Sequence, residues 1–355
     1  MAGVIGLSIV AAIVVPERGK ANTSTTYVAS RCEPTTLIGH RGTIEGNVRA
    51  NTLPALKKAV AGGASTLEID IHVTKSVGKT KKTKAQPAVW VVNHDPTITR
   101  TVKGKNVTKT ISKTTFNDLK KFAPDLMTYS EAISYAKSTN RNLEVEIKPK
   151  SVSASRMQGL SDVLRKTGMQ NKVTYTSFNA DILRGYRAVK NRAGKTGYIT
   201  NKALPTSTAS LNSYAAGVRK YADTIVMRYS VANATNVAIL KNHKLIVEVY
   251  TTNTGNPSVD SGTTWAKHIG YGVDGIITDK PSAYTAWCKD IQPKPPVFTP
   301  PVPVTPPAPQ PVEPVPVEPE PADPELEQPG EPTTDPTEPS EPAEPPVSTD
   351  PPSAA

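Results

Sequence analysis

Thr66-Leu67-Glu68-Ile69-Asp70-Ile71-His72-Val73 alternates strictly between apolar and polar residues after its first position. A period of two reads as a β-strand with two unlike faces. Leu67, Ile69 and Ile71 form a face suited to covering helices. Glu68, Asp70 and His72 share the other face, which then points inward. Charge placed there is costly unless a cation or a lysine compensates it. Leu143-Glu144-Val145-Glu146-Ile147-Lys148 repeats the pattern, with Glu146 and Lys148 on its polar face.

Outward from these two strands, short β-branched runs alternate with amphipathic stretches. Further strands are expected at Thr36–His40, Lys172–Phe178, Lys195–Thr200, Thr224–Arg228, Lys244–Thr251 and Gly275–Thr278, with an extra one at Ala88–Asn93. Helical periodicity falls at Leu53–Val60, Tyr129–Lys137, Met157–Arg165, Ala180–Val189, Leu211–Tyr221, Asn233–Leu240, Thr264–Ile269 and Ser282–Trp287. Eight βα units over about 255 residues fit an α/β fold of the (β/α)8 TIM-barrel type. An open doubly wound sheet fits the same periodicity. The Lys-rich connection Lys75–Lys84 and the Thr- and Lys-rich stretch Pro96–Asp125 read as an insertion after the second strand, placed to shape access.

Composition divides the 355 residues in three. Residues 1–30 hold an apolar run, Ala2 to Val15, with small residues near Ala21. The run is short for a bilayer span and fits a signal peptide, although no Lys or Arg precedes it. Residues 31–290 form the barrel. Residues 291–355 carry 24 of the 34 prolines and 12 of the 31 acidic residues, with Lys294 as the single basic one. Such a Pro-rich acidic tail is expected to be disordered. Its net charge is −11, so the rest of the chain carries +22. Cys32 and Cys288 flank the barrel. Because a closed barrel brings its two ends together, a disulfide between them is expected, in an oxidising compartment.

The polar residues of interest cluster at strand ends. His40-Arg41 ends the first strand, Asn93-His94-Asp95 the extra one, and Asp274 and Asp279 flank the last. In a (β/α)8 barrel the carboxyl ends of the strands converge on one mouth. Glu68, Asp70 and Glu146 would offer one divalent cation an all-oxygen site, suited to Ca2+ or Mg2+ rather than Zn2+. Arg41 and Lys148 would hold a phosphate. Two histidines fit the proton transfers of phosphodiester cleavage.

Taken together, His40-Arg41-Gly42, Asn51-Thr52, Glu68-Ile69-Asp70, Val91-Val92-Asn93-His94-Asp95, Glu146-Ile147-Lys148 and Gly272-Val273-Asp274-Gly275-Ile276-Ile277-Thr278-Asp279-Lys280-Pro281 resemble the glycerophosphodiester phosphodiesterase family. The resemblance runs in order over roughly residues 36–290. It implies a barrel, a divalent metal on Glu68, Asp70 and Glu146, an acid–base pair in His40 and His94, and phosphate contacts from Arg41 and Lys148. It also implies release of an alcohol and glycerol phosphate from a glycerophosphodiester. The chain departs from the family pattern at Ala50, where a Glu is usual before Asn-Thr, with Glu45 nearby but out of register. It departs again at Tyr250, where a Trp common near the end of the seventh strand would line the substrate pocket.

Partners follow from charge and family. The substrate is expected to be a small glycerophosphodiester or a glycerol-phosphate polymer such as teichoic acid. The basic barrel suits an anionic cell wall or membrane surface. Nucleic acid is disfavoured, since no recognition motif and little aromatic interleaving occur. The expected setting is secreted, cell-surface or virion-associated, and oligomeric state is left open. Two other classes compete: a non-catalytic module that binds phosphate polymer, and a phospholipase D-like lyase that yields a cyclic phosphate. His72 reads as structural, Glu248 as barrel-lining, and His243 and His268 as surface helix residues.

Overall fold

Strands with one apolar face need cover, and each amphipathic helix that follows a strand supplies it. The computed structural model describes residue 32 and residues 35–81, 84–252, 256 and 258–289. The expected leader at 1–30 and acidic tail at 291–355 lie outside the described residues. In chain order the strands are β1 (Thr36–Gly39), β2 (Thr66–Val73), β3 (Trp90–Val92), β4 (Thr97–Val102), β5 (Lys105–Thr110), β6 (Asn142–Ile147), β7 (Val173–Ser177), β8 (Lys195–Thr200), β9 (Thr224–Arg228), β10 (Ile246–Tyr250) and β11 (Gly275–Thr278). From β2 through β6 to β11 each strand pairs in parallel with the next, and β1 pairs in parallel with both β11 and β2. The result is a closed eight-stranded (β/α)8 barrel, so the open sheet is excluded.

The helices are α1 (Leu53–Ala61), α2 (Phe116–Phe122), α3 (Tyr129–Ser138), α4 (Ala154–Thr167), α5 (Ala180–Arg187), α6 (Thr208–Arg219), α7 (Ala234–Asn242), α8 (Gly262–Gly270) and α9 (Pro281–Lys289). Local chemistry starts them. Thr52 caps α1 ahead of Pro54, and Thr128 with Glu131 forms a reciprocal capping box on α3. The outward residues of the strands, such as Ile69, Val145, Ile225, Met227 and Val247, pack with helix residues such as Leu56, Ile133, Leu183 and Leu240 in one core. Each such side chain, fully buried, contributes roughly 1.5–3 kcal/mol.

The insertion is more ordered than its composition announces. β3 pairs antiparallel with β2, and β4 and β5 form a hairpin through Lys103-Gly104. Ile98, Ile111, Leu119 and Leu126 close a small separate core around Val91. In β4 Thr97, Thr99 and Thr101 alternate with Ile98, Arg100 and Val102, and β5 sets Lys109, Val107 and Lys105 opposite these last three, so the face that carries Ile98 is half basic and gives a weak apolar period.

One expectation is corrected. His268 is not on the surface: it is 1% exposed inside α8, and neither ring nitrogen has a hydrogen-bond partner among the described residues. Its ring meets Tyr271 edge-on at 5.6 Å. His243, at the end of α7, is half-buried with Nε2 2.8 Å from Asn212 Oδ1. Cys32 and Cys288 are joined by a disulfide, with Cα atoms 5.8 Å apart. No helix among the described residues is long and apolar enough to cross a membrane.

Burial, with Lys267 nearby, pushes His268 down to about 4. The unfolded chain takes up this proton first as pH falls. Stability is therefore full above the ordinary histidine value of about 6.5 and declines as pH approaches 4. Between pH 7 and pH 5 the loss through this group should be about 2 kcal/mol. His268→Phe should flatten that slope in urea melts at the two pH values. An unchanged difference would clear His268 as its source. The disulfide predicts no titratable thiol in the denatured, unreduced protein and two per chain after reduction.

Candidate active site

The inward positions of the strands divide the barrel into unlike halves. β1, β2 and β6 present His40, Glu68, Asp70, Glu146 and Lys148, with Glu68 and Asp70 inside β2 and the others at or just past the carboxyl ends of β1 and β6. β8, β9 and β11 present Ile199, Val226 and Ile277, which pack with Ile38 and Tyr250. A cavity of about 340 Å³ opens between the halves, lined by His40, Arg41, Glu68, His94, Glu146, Lys148 and Tyr250 among others.

The turn after β1 shapes the polar half. Arg41 and Gly42 both take positive φ, 51° and 79°. A Cβ at Gly42 would lie 2.6 Å from the Ala55 backbone, so only glycine fits there. Arg41, a non-glycine residue in the left-handed region, stores local strain. That turn brings the Arg41 N–H to donate to Glu68 Oε2 at 2.7 Å. The Arg41 Nε lies 3.1 Å from Asp70 Oδ2 as an ion pair, but its angle makes no hydrogen bond.

Asp70 is the centre of the group. It is 1% exposed, with Lys148 Nζ 3.0 Å from Oδ1 and the Asn51 amide donating to Oδ2 at 2.7 Å. Asn51 also accepts from the Asp70 N–H at 3.1 Å. Lys148 Nζ reaches Glu146 Oε2 at 3.0 Å as well. Strand register puts Asp70 beside Glu146. Ligand atoms of Glu68, Asp70 and Glu146 all lie within 4.8 Å of one another.

Three carboxyls so close and so buried cannot titrate alike. Burial, then the charges of Asp70 and Glu146, raise Glu68 well above the carboxylate range. Burial and Asp70 push Glu146 up to about 7, against the pull of Lys148. Burial opposes ionisation of Asp70 too, but Lys148, Arg41 and Asn51 outweigh it and hold Asp70 below its ordinary value. Arg41 and Lys148 bring two positive charges against three carboxyls, so all three can ionise together only with a further cation. Its ligand atoms are oxygens alone, and among the described residues Glu68 accepts one hydrogen bond, from the Arg41 N–H. That set fits a hard divalent ion.

The histidines are each held by a carboxylate. His40 Nδ1 lies 2.6 Å from Asp279 Oδ1, and His94 Nδ1 lies 2.8 Å from Asp95 Oδ1. A carboxylate at Nδ1 fixes the tautomer and leaves Nε2 as the exchanging nitrogen. His72 donates from Nε2 to the His94 carbonyl at 3.0 Å, so it positions the loop that carries His94. Burial lowers both His72 and His94 and so favours their neutral forms.

A model of the glycerophosphoryl diester phosphodiesterase family matches residues 40–283, about two thirds of the chain. The chain belongs to that family. Solved structures of similar fold include an Oleispira antarctica phosphodiesterase in complex with the product sn-glycerol-3-phosphate (TM-score 0.56, 21% identity, 72% of this chain and 97% of that one). Glycerophosphodiester phosphodiesterases from Thermotoga maritima (0.52, 20%, 71% and 97%) and Agrobacterium tumefaciens (0.53, 16%, 71% and 99%) are similar too. No curated protein matches the chain in sequence. The protein is thus a phosphodiesterase of this family.

Against the family pattern, Glu45 does not stand in for the Glu missing at Ala50. Its carboxylate accepts from the Ser282 and Ala283 N–H groups at the start of α9, at 3.0 and 3.2 Å. Tyr250 lines the cavity on the apolar half. Asp274 lies at the opposite end of the barrel from the mouth and braces Lys241 and the Val247 N–H. Glu248 lines the interior next to Glu144, and burial raises both carboxyls. Sequence reading missed Asp260, Phe178, Asn201 and Arg228. Arg228 was within reach, since it follows Val226 by two in a strand. Asp260 gave no signal, being a lone loop acid.

Asp260 is nonetheless central to the His40 side. It is 6% exposed and accepts from Thr251 Oγ1 (2.6 Å), Thr278 Oγ1 (2.7 Å), Trp265 Nε1 (3.0 Å) and the Asp279 N–H (3.0 Å). Asp260→Asn would turn an amide N–H toward the Asp279 N–H. It should lower kcat for phosphodiester cleavage by about tenfold, with KM little changed and the pH–rate profile displaced. A lowered melting temperature with an unmoved profile would limit Asp260 to bracing the fold.

Proposed function

We propose that the protein is a divalent-metal-dependent hydrolase of glycerophosphodiesters, releasing an alcohol and glycerol phosphate. The observation that carries this reading is the cavity itself. Two carboxylate-braced histidines line one space with Glu68 and Glu146, and the buried Asp70 stands beside them, all three carboxylates having ligand oxygens within 4.8 Å of one another. Glu68, Asp70 and Glu146 would hold the cation, which when bound offsets charge on the phosphate oxygens. Arg41 and Lys148 orient the phosphate. One of His40 and His94 takes a proton from the attacking hydroxyl, and the other returns one to the departing alcohol oxygen. Attack by a neighbouring glycerol hydroxyl would gain from proximity and pass through a cyclic phosphate, which water then opens.

Charge supports an anionic, polymeric substrate such as a glycerol-phosphate chain. Residues 74–125 alone hold 12 Lys and Arg against 3 Asp, around the loop that carries His94. Such a field raises encounter rates with polyanions. The disulfide supports an exported setting, at a cell wall or membrane surface. The bound sn-glycerol-3-phosphate in the Oleispira antarctica relative supports a glycerol phosphate product.

Hydrolysis of glycerophosphoglycerol and of a glycerol-phosphate polymer by the whole chain tests the reading, with Ca2+, with Mg2+ and with chelator. Turnover should require metal. His40→Ala and His94→Ala should each lower it by roughly 10²–10⁴-fold. Polymer binding without turnover, undiminished in His40→Ala, would identify a binding module instead. A cyclic phosphate accumulating as the final product would identify a lyase.

A further inference from the structure

Three cationic side chains among the described residues line the cavity, and two of them are answered. Arg41 and Lys148 sit against Asp70 and Glu146. The third, Arg228, ends β9. Its strand parity follows Val226, so it points inward, while Ile225 and Met227 pack outward in the core. β9 is four strands from β2 in either direction round the barrel, diametrically across from Glu68 and Asp70. Beside Arg228 stand Tyr250, its register partner, and Asn201 and Thr252. The guanidinium lies 5.5 Å from the Tyr229 ring, and no carboxylate among the described residues forms an ion pair with it.

A charged group at the far wall, covered by a substrate that brings it no counter-ion, is desolvated at a cost. A leaving alcohol that carries its own phosphate would meet the guanidinium fork in charge-assisted hydrogen bonds. A quaternary ammonium would meet like charge. We propose that Arg228 is a specificity-determining residue that selects phosphodiesters whose leaving alcohol bears a second phosphate, over neutral and cationic alcohols. This rests on the hydrolase reading above, with the reacting phosphate held on the β2 side and the leaving group directed to β9.

The test compares kcat/KM on three probes: bis(glycerophospho)glycerol, glycerophosphoglycerol and glycerophosphocholine. Wild type should prefer them in that order, the first over the last by about tenfold or more. Arg228→Gln should lower the ratio of the first to the second by about tenfold. Arg228→Glu should bring glycerophosphocholine above bis(glycerophospho)glycerol. The two equivalent bonds of the first probe contribute a constant factor that cancels between variants. Thermal melts establish that both variants fold, and Arg228→Gln carries the test alone if Arg228→Glu does not. Turnover by wild type with ratios unmoved in the folded variants, or a wild-type preference for glycerophosphocholine, would overturn the role of Arg228 and leave the hydrolase reading standing. Turnover of none of the three would overturn both.

Discussion

Asp70 is enclosed at the carboxyl end of β2, ionised, with two cations and an amide directed at it. Most of the site's geometry follows from keeping that charge inside a barrel. An isolated buried carboxylate would cost several kcal/mol, and paired burial breaks even only with good geometry. Lys148 must therefore come from the neighbouring parallel strand, where register places it within reach. Arg41 must come from the other neighbour, through a backbone turn that only glycine at position 42 permits. Asn51, itself at a φ of 61°, closes the remaining side with a two-way clamp. Two strained residues are thus held in place by contacts to one carboxylate.

The same constraint separates the barrel interior into halves. Where β1, β2 and β6 meet, the inward positions are charged and hydrogen-bonded. Across the axis, Ile199, Val226 and Ile277 exclude water and hold the effective dielectric low. Low dielectric strengthens any interaction between the site and a reacting phosphate. It also raises Glu68 and Glu146, whose charges repel each other and that of Asp70. An apolar wall and a group of three mutually repelling carboxyls are consequences of one arrangement.

The strand carrying Glu68 and Asp70 was readable because alternation shows on paper when its two faces differ. Eight short runs in order, each with its helix, pointed to the barrel, and their alternation put Glu68, Asp70 and Glu146 on the inward face; Asp274, grouped with them at the mouth, lies instead at the opposite end. The β4–β5 hairpin was not read, because Arg100, Lys105 and Lys109 share the face of Ile98, Val102 and Val107 and dilute its hydrophobic period. His268 was misplaced for the opposite reason. A histidine beside Lys267 on a short helix looks solvent-facing, and only packing against Tyr271 shows it buried. Arg228 had a parity signal but no motif around it. Asp260 could not be found at all, since its four donors come from just past β10, from α8, and from the last residue of β11 and the one after it, brought together only by tertiary structure.

Those donors show where closure of the barrel and assembly of the site become one event. His40 follows β1 and Asp279 follows β11, separated by 239 positions in sequence. They meet because β1 and β11 pair, and the His40 N–H itself donates to the Thr278 carbonyl at 2.9 Å across that seam. Thr43 Oγ1 adds a bond to the Asp279 carbonyl at 2.8 Å, and Glu45 caps the helix that follows. An open or slipped seam would leave the polar group of β2 and β6 intact but strip His40 of the carboxylate that orients it. The disulfide between Cys32, ahead of β1, and Cys288, in α9, ties the same two ends of the chain. Its loop spans nearly the whole domain, and the chain-entropy model assigns such a loop roughly 5 kcal/mol at most. Whatever stabilises the seam also orients the histidine, so the covalent link and the His40–Asp279 pair depend on one contact between the first strand and the last.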